Sequence, residues 1–390
     1  MKKLIIVFFL LPFFVQAQLS PKNAETDLEV LAKNIVNQCA NIQTDEIVFI
    51  NGNVRDIELL ENIAVNVRKN GAFPVLTVSS DRLTRKLFTE VPEKYDTQFP
   101  KLNMEIVKMM TTQINVTSGD TPGLLADIPP ERFAIRNKAQ QPVNDLYMKS
   151  SIKSVQLGNG LYPTKNRADQ FEVPVDQLAK MFWDGINMDY NKLTSIGEKL
   201  TKKLTSGNTL KITHENGTNL SVKVTDCKPL ISDGKVSSDR PGGAGRFVYL
   251  PAGEVFFAPV PGTATGTLVL DQFIFRGQTI EGLKLIFEDG ILTSMNANSD
   301  IAVLKDYYDA QDDKFTEFSL VDFGINPKIT VPKGSKLYTY VPAGTITLGI
   351  GNNFFADGDN NSNAGLHFHL TGSTVTVDNT ALIDKGKLVN

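Results

Sequence analysis

The sequence predicts an α/β N-terminal domain followed by a β-rich (α+β) C-terminal domain that carries the functional site. Three observations predict it. Residues 28–78 alternate helix-period stripes with short apolar runs. A turn-rich connector, Gly158-Asn159-Gly160-Leu161-Tyr162-Pro163-Thr164, then changes the texture of the chain. Beyond the helices that follow, short β-type runs alternate with Gly, Asn and Asp turns.

The first residues read as a secretory signal rather than as fold. Lys2 and Lys3 precede an apolar run, Leu4 to Phe14, and Val15-Gln16-Ala17 places small residues for cleavage after Ala17. The run is too short for a stable membrane span, and no later segment approaches one. Cleavage leaves 38 Lys and Arg against 43 Asp and Glu, a net charge of −5. That balance argues against nucleic acid or an anionic membrane as partner. An exported chain, periplasmic or secreted, is expected.

About 370 residues remain, enough for two domains; the boundaries expected are 1–17 signal peptide, 18–155 α/β domain and 156–390 mainly β domain. Cys39 and Cys227 are the only cysteines, so there is no disulfide framework. Cys39 lies on an apolar helical stripe with Leu28, Leu31, Ala32 and Ile35, where a buried thiol is expected. Ile47-Val48-Phe49-Ile50 is continuously apolar, as buried parallel strands are. Ile57, Leu60, Ala64 and Val67 form the next helical stripe, stopped by Gly71, and Phe73 to Val78 is a second strand. This rhythm implies a parallel sheet with crossover helices. Gly52-Asn53-Val54 is not a phosphate-binding fingerprint, so a dinucleotide cofactor is not expected.

In the second half, Leu178, Phe182 and Trp183 anchor helices between Gln177 and Leu204. Leu210–Thr213 and Leu220–Val224 alternate around Glu215-Asn216-Gly217-Thr218, a hairpin signature. Gly365-Leu366-His367-Phe368-His369-Leu370 holds two of the three histidines. In a strand, residues i and i+2 share a face. His367 and His369 therefore point one way, a natural pair of metal ligands, and Leu366, Phe368 and Leu370 point the other, into a core. A single carboxylate, Glu254, sits at a Pro and Gly turn among apolar neighbours, where it is costly unless partnered.

Leu250-Pro251-Ala252-Gly253-Glu254-Val255-Phe256-Phe257-Ala258-Pro259 resembles the hallmark turn of the thermophilic metalloaminopeptidases, the aminopeptidase T/S family. Further pieces fall in the family's order: Tyr162-Pro163-Thr164, Phe182-Trp183-Asp184, Asn216 to Leu220, Arg276-Gly277-Gln278, Ile280 to Leu283, Glu317, Gly344 to Gly351, and His367-Phe368-His369. The resemblance covers residues 155–372 well and the N-terminal part loosely. It implies removal of N-terminal residues from peptides by a divalent metal: zinc, cobalt or manganese. Position by position, it implies Glu254, Glu317 and His367 as metal ligands; with His369 beside them these residues make a set for one divalent ion, Glu317 serving as a ligand or as the catalytic base. Three positions depart from the family's pattern. His369 stands where the family has Asp, Thr347 where it has a second His, and Phe354 near where it has Tyr.

The same scaffold has a branch that resembles dihydroxypyridine ring-cleaving dioxygenases, which implies a single iron on two histidines and a carboxylate. A third reading is an exported binding protein that has lost catalysis. The expected partner in each case is a peptide or small molecule. The sequence leaves a homodimer open.

Overall fold

The computed structural model describes residues 26–117, 121, 123–237 and 246–389. The signal-peptide reading at residues 1–17 lies outside them.

The apolar periodicity of the N-terminal part becomes an α/β layer. Asp27 caps helix α1 (Leu28–Asn34) by accepting from the backbone of Glu29 and Val30. A π turn, Ile35–Cys39, continues it, so the stripe seen in sequence does not stay one regular helix. Strand β1 (Ile47–Asn53), helix α2 (Ile57–Lys69) and strand β2 (Phe73–Ser79) follow, and Gly71 has φ +79° at the stop of α2. β1 pairs in parallel with β2 and with β3 (Thr112–Val116). β3 pairs with β4 (Lys153–Leu157), inside which residue 155 falls. The fifth parallel strand, Phe247–Leu250, comes from far along the chain and pairs with β4.

The second half is built from antiparallel pairs. β5 (Thr209–Thr213) and β6 (Asn219–Lys223) form the expected hairpin. They belong to an eight-stranded sheet that also contains the long pair Thr265–Phe275 and Gln278–Glu288. The sheet that positions the site has five strands. In chain order these are β7 (Leu230–Ser232), β9 (Glu254–Phe257), β13 (Phe318–Gly324), β14 (Ile346–Gly351) and β15 (Gly365–Leu370). The other strands between β7 and β13 are β8, the Phe247–Leu250 strand, the long pair β10 and β11, and β12 (Ile291–Asn296). In space the order is β15-β14-β13-β9-β7.

One continuous apolar core joins the halves. It runs from Leu31 and Ile50 through Phe182 and Phe257 to Phe323, Leu348 and Phe368. Burying that much apolar surface is the main source of stability. Among the described residues no helix is long and apolar enough to cross a membrane, and Cys39 and Cys227 are both free. Burial pushes the Cys39 thiol up to about 12, as expected for an inert core cysteine.

Candidate functional site

The site begins at the turn between β8 and β9. The Leu250–Pro251 bond is cis, and Gly253 adopts φ +134°. A side chain at Gly253 would collide with the backbone of Asn326. The buried Asn326 amide donates to Ala252 O at 2.7 Å and Gly185 O at 3.0 Å, which fixes the turn to the rest of the core. Glu254 follows as the first residue of β9.

Strand register then decides what Glu254 faces. Glu254 lies opposite Gly324, and a side chain at Gly324 would meet the carbonyls of Tyr340 and Pro342. With that position bare, Glu254 reaches the diagonal neighbour, Asp322, and the two carboxyl groups hydrogen-bond. The Ser232 hydroxyl also bonds Glu254 from β7. One row across the sheet reads Phe256, Asp322, Thr347, His369; the next reads Leu320, Gly349, His367. Because cross-strand partners share a face, all of these side chains lie on the side of Glu254. The sequence reading of β15 holds here: Leu366, Phe368 and Leu370 are buried on the opposite face.

Each group is held tightly. Thr347 Oγ1 and His369 Nδ1 lie 2.8 Å apart, sharing one hydrogen bond whose direction follows the imidazole tautomer. The His369 backbone N–H donates to the Tyr338 hydroxyl at 2.9 Å, which itself donates to His367 O at 3.1 Å. The Tyr338 and His369 rings pack at a 40° tilt with centroids 4.2 Å apart. Tyr340 sits 5.9 Å from the His369 ring, and its hydroxyl donates to Asn159 Oδ1 at 2.7 Å. Phe355, 48% exposed, lies 5.9 Å from both Phe256 and His367 and forms an aromatic rim.

Burial sets the charges. Glu254 keeps part of its surface open to solvent but is packed densely enough that desolvation dominates, raising its carboxyl to about 7. Asp322 is raised well above the usual carboxylate range, first by burial and then by the charge of Glu254. Two carboxyl groups this close favour keeping a proton between them at neutral pH. Burial, with a smaller contribution from His367, lowers His369 to about 3; burial also lowers His367, whose edge remains exposed. The imidazoles are therefore neutral.

The structure brings Glu254, His367 and His369 to one face. Glu317 is elsewhere. It closes the turn Asp313–Thr316 before β13, and its Oε2 accepts from Asn360 Nδ2 at 2.9 Å. The Glu317 carbonyl accepts from Gly351 N–H at 3.0 Å, and a bulge separates Phe318 from Leu320. Counted along β14 at about 3.3 Å per residue, Glu317 lies about 7 Å beyond the His367 row and about 20 Å from the end facing Glu254. Asp322 and Tyr340, which the sequence reading did not single out, stand at the site instead. A lone carboxylate inside the apolar run Phe318–Gly324 was the available signal.

The thermophilic metalloprotease (M29) family model matches residues 24–330. The chain belongs to the M29 family. No curated protein sequence matches it. Wild-type AmpT from Thermus thermophilus shares the fold at a TM-score of 0.68 and 17% identity, over 93% of this chain and 99% of that one. The 2,5-dihydroxypyridine dioxygenase from Pseudomonas putida KT2440 is similar at a TM-score of 0.58 and 14% identity, over 94% and 97%. Both bear out the α/β plus β-rich architecture.

The family's metal dependence can be tested against the donors of this M29 chain. Two carboxylates and two imidazoles are suitable donor types for a divalent ion. Their arrangement is not suitable. Adjacent strands are about 4.8 Å apart, so the backbones bearing Asp322 and His369 stand about 10 Å apart across β14, with Thr347 between them. The neighbouring row offers Leu320 and Gly349 beside His367. Among the described residues, no three His, Cys, Asp or Glu side chains are grouped so as to hold a metal ion. The donors do not fit a two-ion centre.

Proposed function

We propose that this chain is an exported, aminopeptidase-like member of the M29 family whose site engages the N-terminal end of a peptide and whose hydrolytic power is reduced by its altered donor set. The observation that carries this reading is the shared face of Glu254, Asp322, Thr347, His367 and His369 on one sheet. The family supports peptide chemistry, and the Lys2-Lys3, apolar run and Ala17 pattern supports export.

The face has two poles. The carboxyl pair of Glu254 and Asp322 supplies acceptors for a ligand amine. The neutral imidazoles of His367 and His369 supply a hydrogen-bonding edge for a peptide group. The ligand set put forward from the sequence, Glu254, Glu317, His367 and His369 for zinc, cobalt or manganese, enters this proposal in reduced form. At most one divalent ion is held, and from one pole at a time.

Thr347 favours a second reading, an exported binding protein without hydrolysis, because a hydroxyl is a poor zinc-type ligand and it occupies the position between the poles. Iron-dependent ring cleavage needs two imidazoles and a carboxylate at one point, which the same rows do not supply.

Metal stoichiometry on the purified protein, with leucyl-peptide hydrolysis by the parent and by Thr347→His combined with His369→Asp, separates the readings. At most one ion, slow hydrolysis by the parent and a gain in the double variant are expected for the first. No hydrolysis in the parent, with retained peptide binding, favours the second. Two tightly held ions and brisk hydrolysis in the parent would overturn both.

A further inference from the structure

Asp322 is an expensive residue where it stands. It is 4% exposed in a strand whose every residue is buried, and its Oδ1 finds no hydrogen-bond donor among the described residues. A buried carboxylate oxygen without a donor costs on the order of 1–3 kcal/mol or more, and an apolar residue would suit the strand better. Its polar neighbours do not compensate. The proton shared with Glu254 serves one hydrogen bond between the two carboxyl groups and leaves Oδ1 unserved, the Ser232 hydroxyl is directed to Glu254, and the Tyr340 hydroxyl is given to Asn159. No Lys or Arg among the described residues pairs with either carboxylate.

From these observations we infer that Asp322, not Glu254 alone, anchors the primary ammonium group of the bound peptide, through the oxygen that the fold leaves without a donor. The inference rests on the reading that this face takes peptide N-termini. An ammonium group fits because it brings three donors and a positive charge to a place holding two carboxyl groups and no cation. The aromatic rim adds the neighbouring element of specificity. Phe256 shares the row of Asp322, and Phe355 packs against it and against His367 while leaving half its surface exposed. A first side chain attached next to the anchored amine meets that rim, so the ligand class is a peptide with a free amino terminus and an apolar first residue.

Calorimetric titration of the full-length protein, freed of metal by chelation, tests this with Leu-Gly-Gly, its N-acetyl form and Gly-Gly-Gly. The parent is expected to bind Leu-Gly-Gly at least tenfold more tightly than the other two. Asp322→Asn, which keeps the shape and removes the charge, is expected to lose that advantage over the acetylated peptide. Phe355→Ala is expected to lose the advantage over Gly-Gly-Gly only. If Asp322→Asn does not fold, Glu254→Gln carries a matched comparison: a free-amine preference that survives there assigns the anchor to Asp322, and a complete loss assigns it to Glu254 and overturns the inference. A parent that prefers the free amine while Asp322→Asn binds equally well overturns the inference and leaves the functional reading standing. A parent without any free-amine preference overturns the functional reading itself. Manganese binding abolished by Asp322→Asn, with peptide binding intact, would assign the orphan oxygen to a metal and also overturn it.

Discussion

Thr347 Oγ1 sits 2.8 Å from His369 Nδ1, at the register position that separates the imidazole from Asp322. This contact orients His369 and keeps the two poles of the face apart. Thr347 is 1% exposed, so Thr347→Val leaves a buried ring nitrogen without its partner. A loss of about 1–3 kcal/mol in unfolding free energy is expected by urea denaturation. A change within a few tenths of a kcal/mol would show that the hydroxyl does not hold the ring.

The two poles give opposite pH dependences. Glu254 and Asp322 titrate above their ordinary values when folded, so each contribution to stability is complete below the group's unfolded value, 4.5 for Glu254 and 3.8 for Asp322. That of Glu254 is lost as pH rises through about 7, and that of Asp322 is lost as pH rises well above its ordinary range. His369 is depressed to about 3; its contribution is complete above 6.5 and is lost as pH falls toward that value. Each group limits the slope to about 1.4 kcal/mol per pH unit. Stability of the parent is expected to decline from about pH 5 to about pH 8, and Glu254→Gln with Asp322→Asn is expected to flatten that decline. An unchanged slope in the double variant would show that the carboxyl pair is not its source.

Gly349 makes room for the second row. A side chain there would place its Cβ 2.8 Å from Leu320 Cβ and 3.0 Å from His367 Cδ2. Gly349→Ala is expected to cost about 1–3 kcal/mol through overpacking, with a shifted His367 ring resonance by NMR. Leu320→Ala is expected not to rescue it, since the closest atom is the Cβ that alanine keeps. Full rescue by Leu320→Ala would show that the strands adjust more freely than this packing indicates.

Asn326 ties the Glu254 turn to the core. Asn326→Ala removes the donors to Ala252 O and Gly185 O and the acceptor for Lys328 N–H. With Asn326 fully buried, a loss of about 2–3 kcal/mol is expected. Hydrogen exchange at residues 252–257 checks the local consequence, and protection equal to the parent's would count against this role.

Much of the architecture is legible along the chain because it depends on local periodicity. The stripe of α2, the continuous apolarity of β1 and the Gly71 stop set the α/β rhythm without reference to distant residues. Alternation in β15 likewise determined that His367 and His369 share one face while Leu366 and Phe368 take the other. The Glu254 turn was visible as a motif. What surrounds these residues was decided only by tertiary structure, because strand register is set by pairing between segments from 22 residues apart, as for Thr347 and His369, to 70 apart, as for Glu254 and Gly324. That pairing placed Asp322 diagonal to Glu254, inserted Thr347 between Asp322 and His369, and left Glu317 near the opposite end of β13. It also returned Phe247–Leu250 to complete the parallel sheet, an edge that becomes available only after β4 is in place. Sequence alone determined which chemical groups this protein carries on each face; the long-range register decided which of them meet.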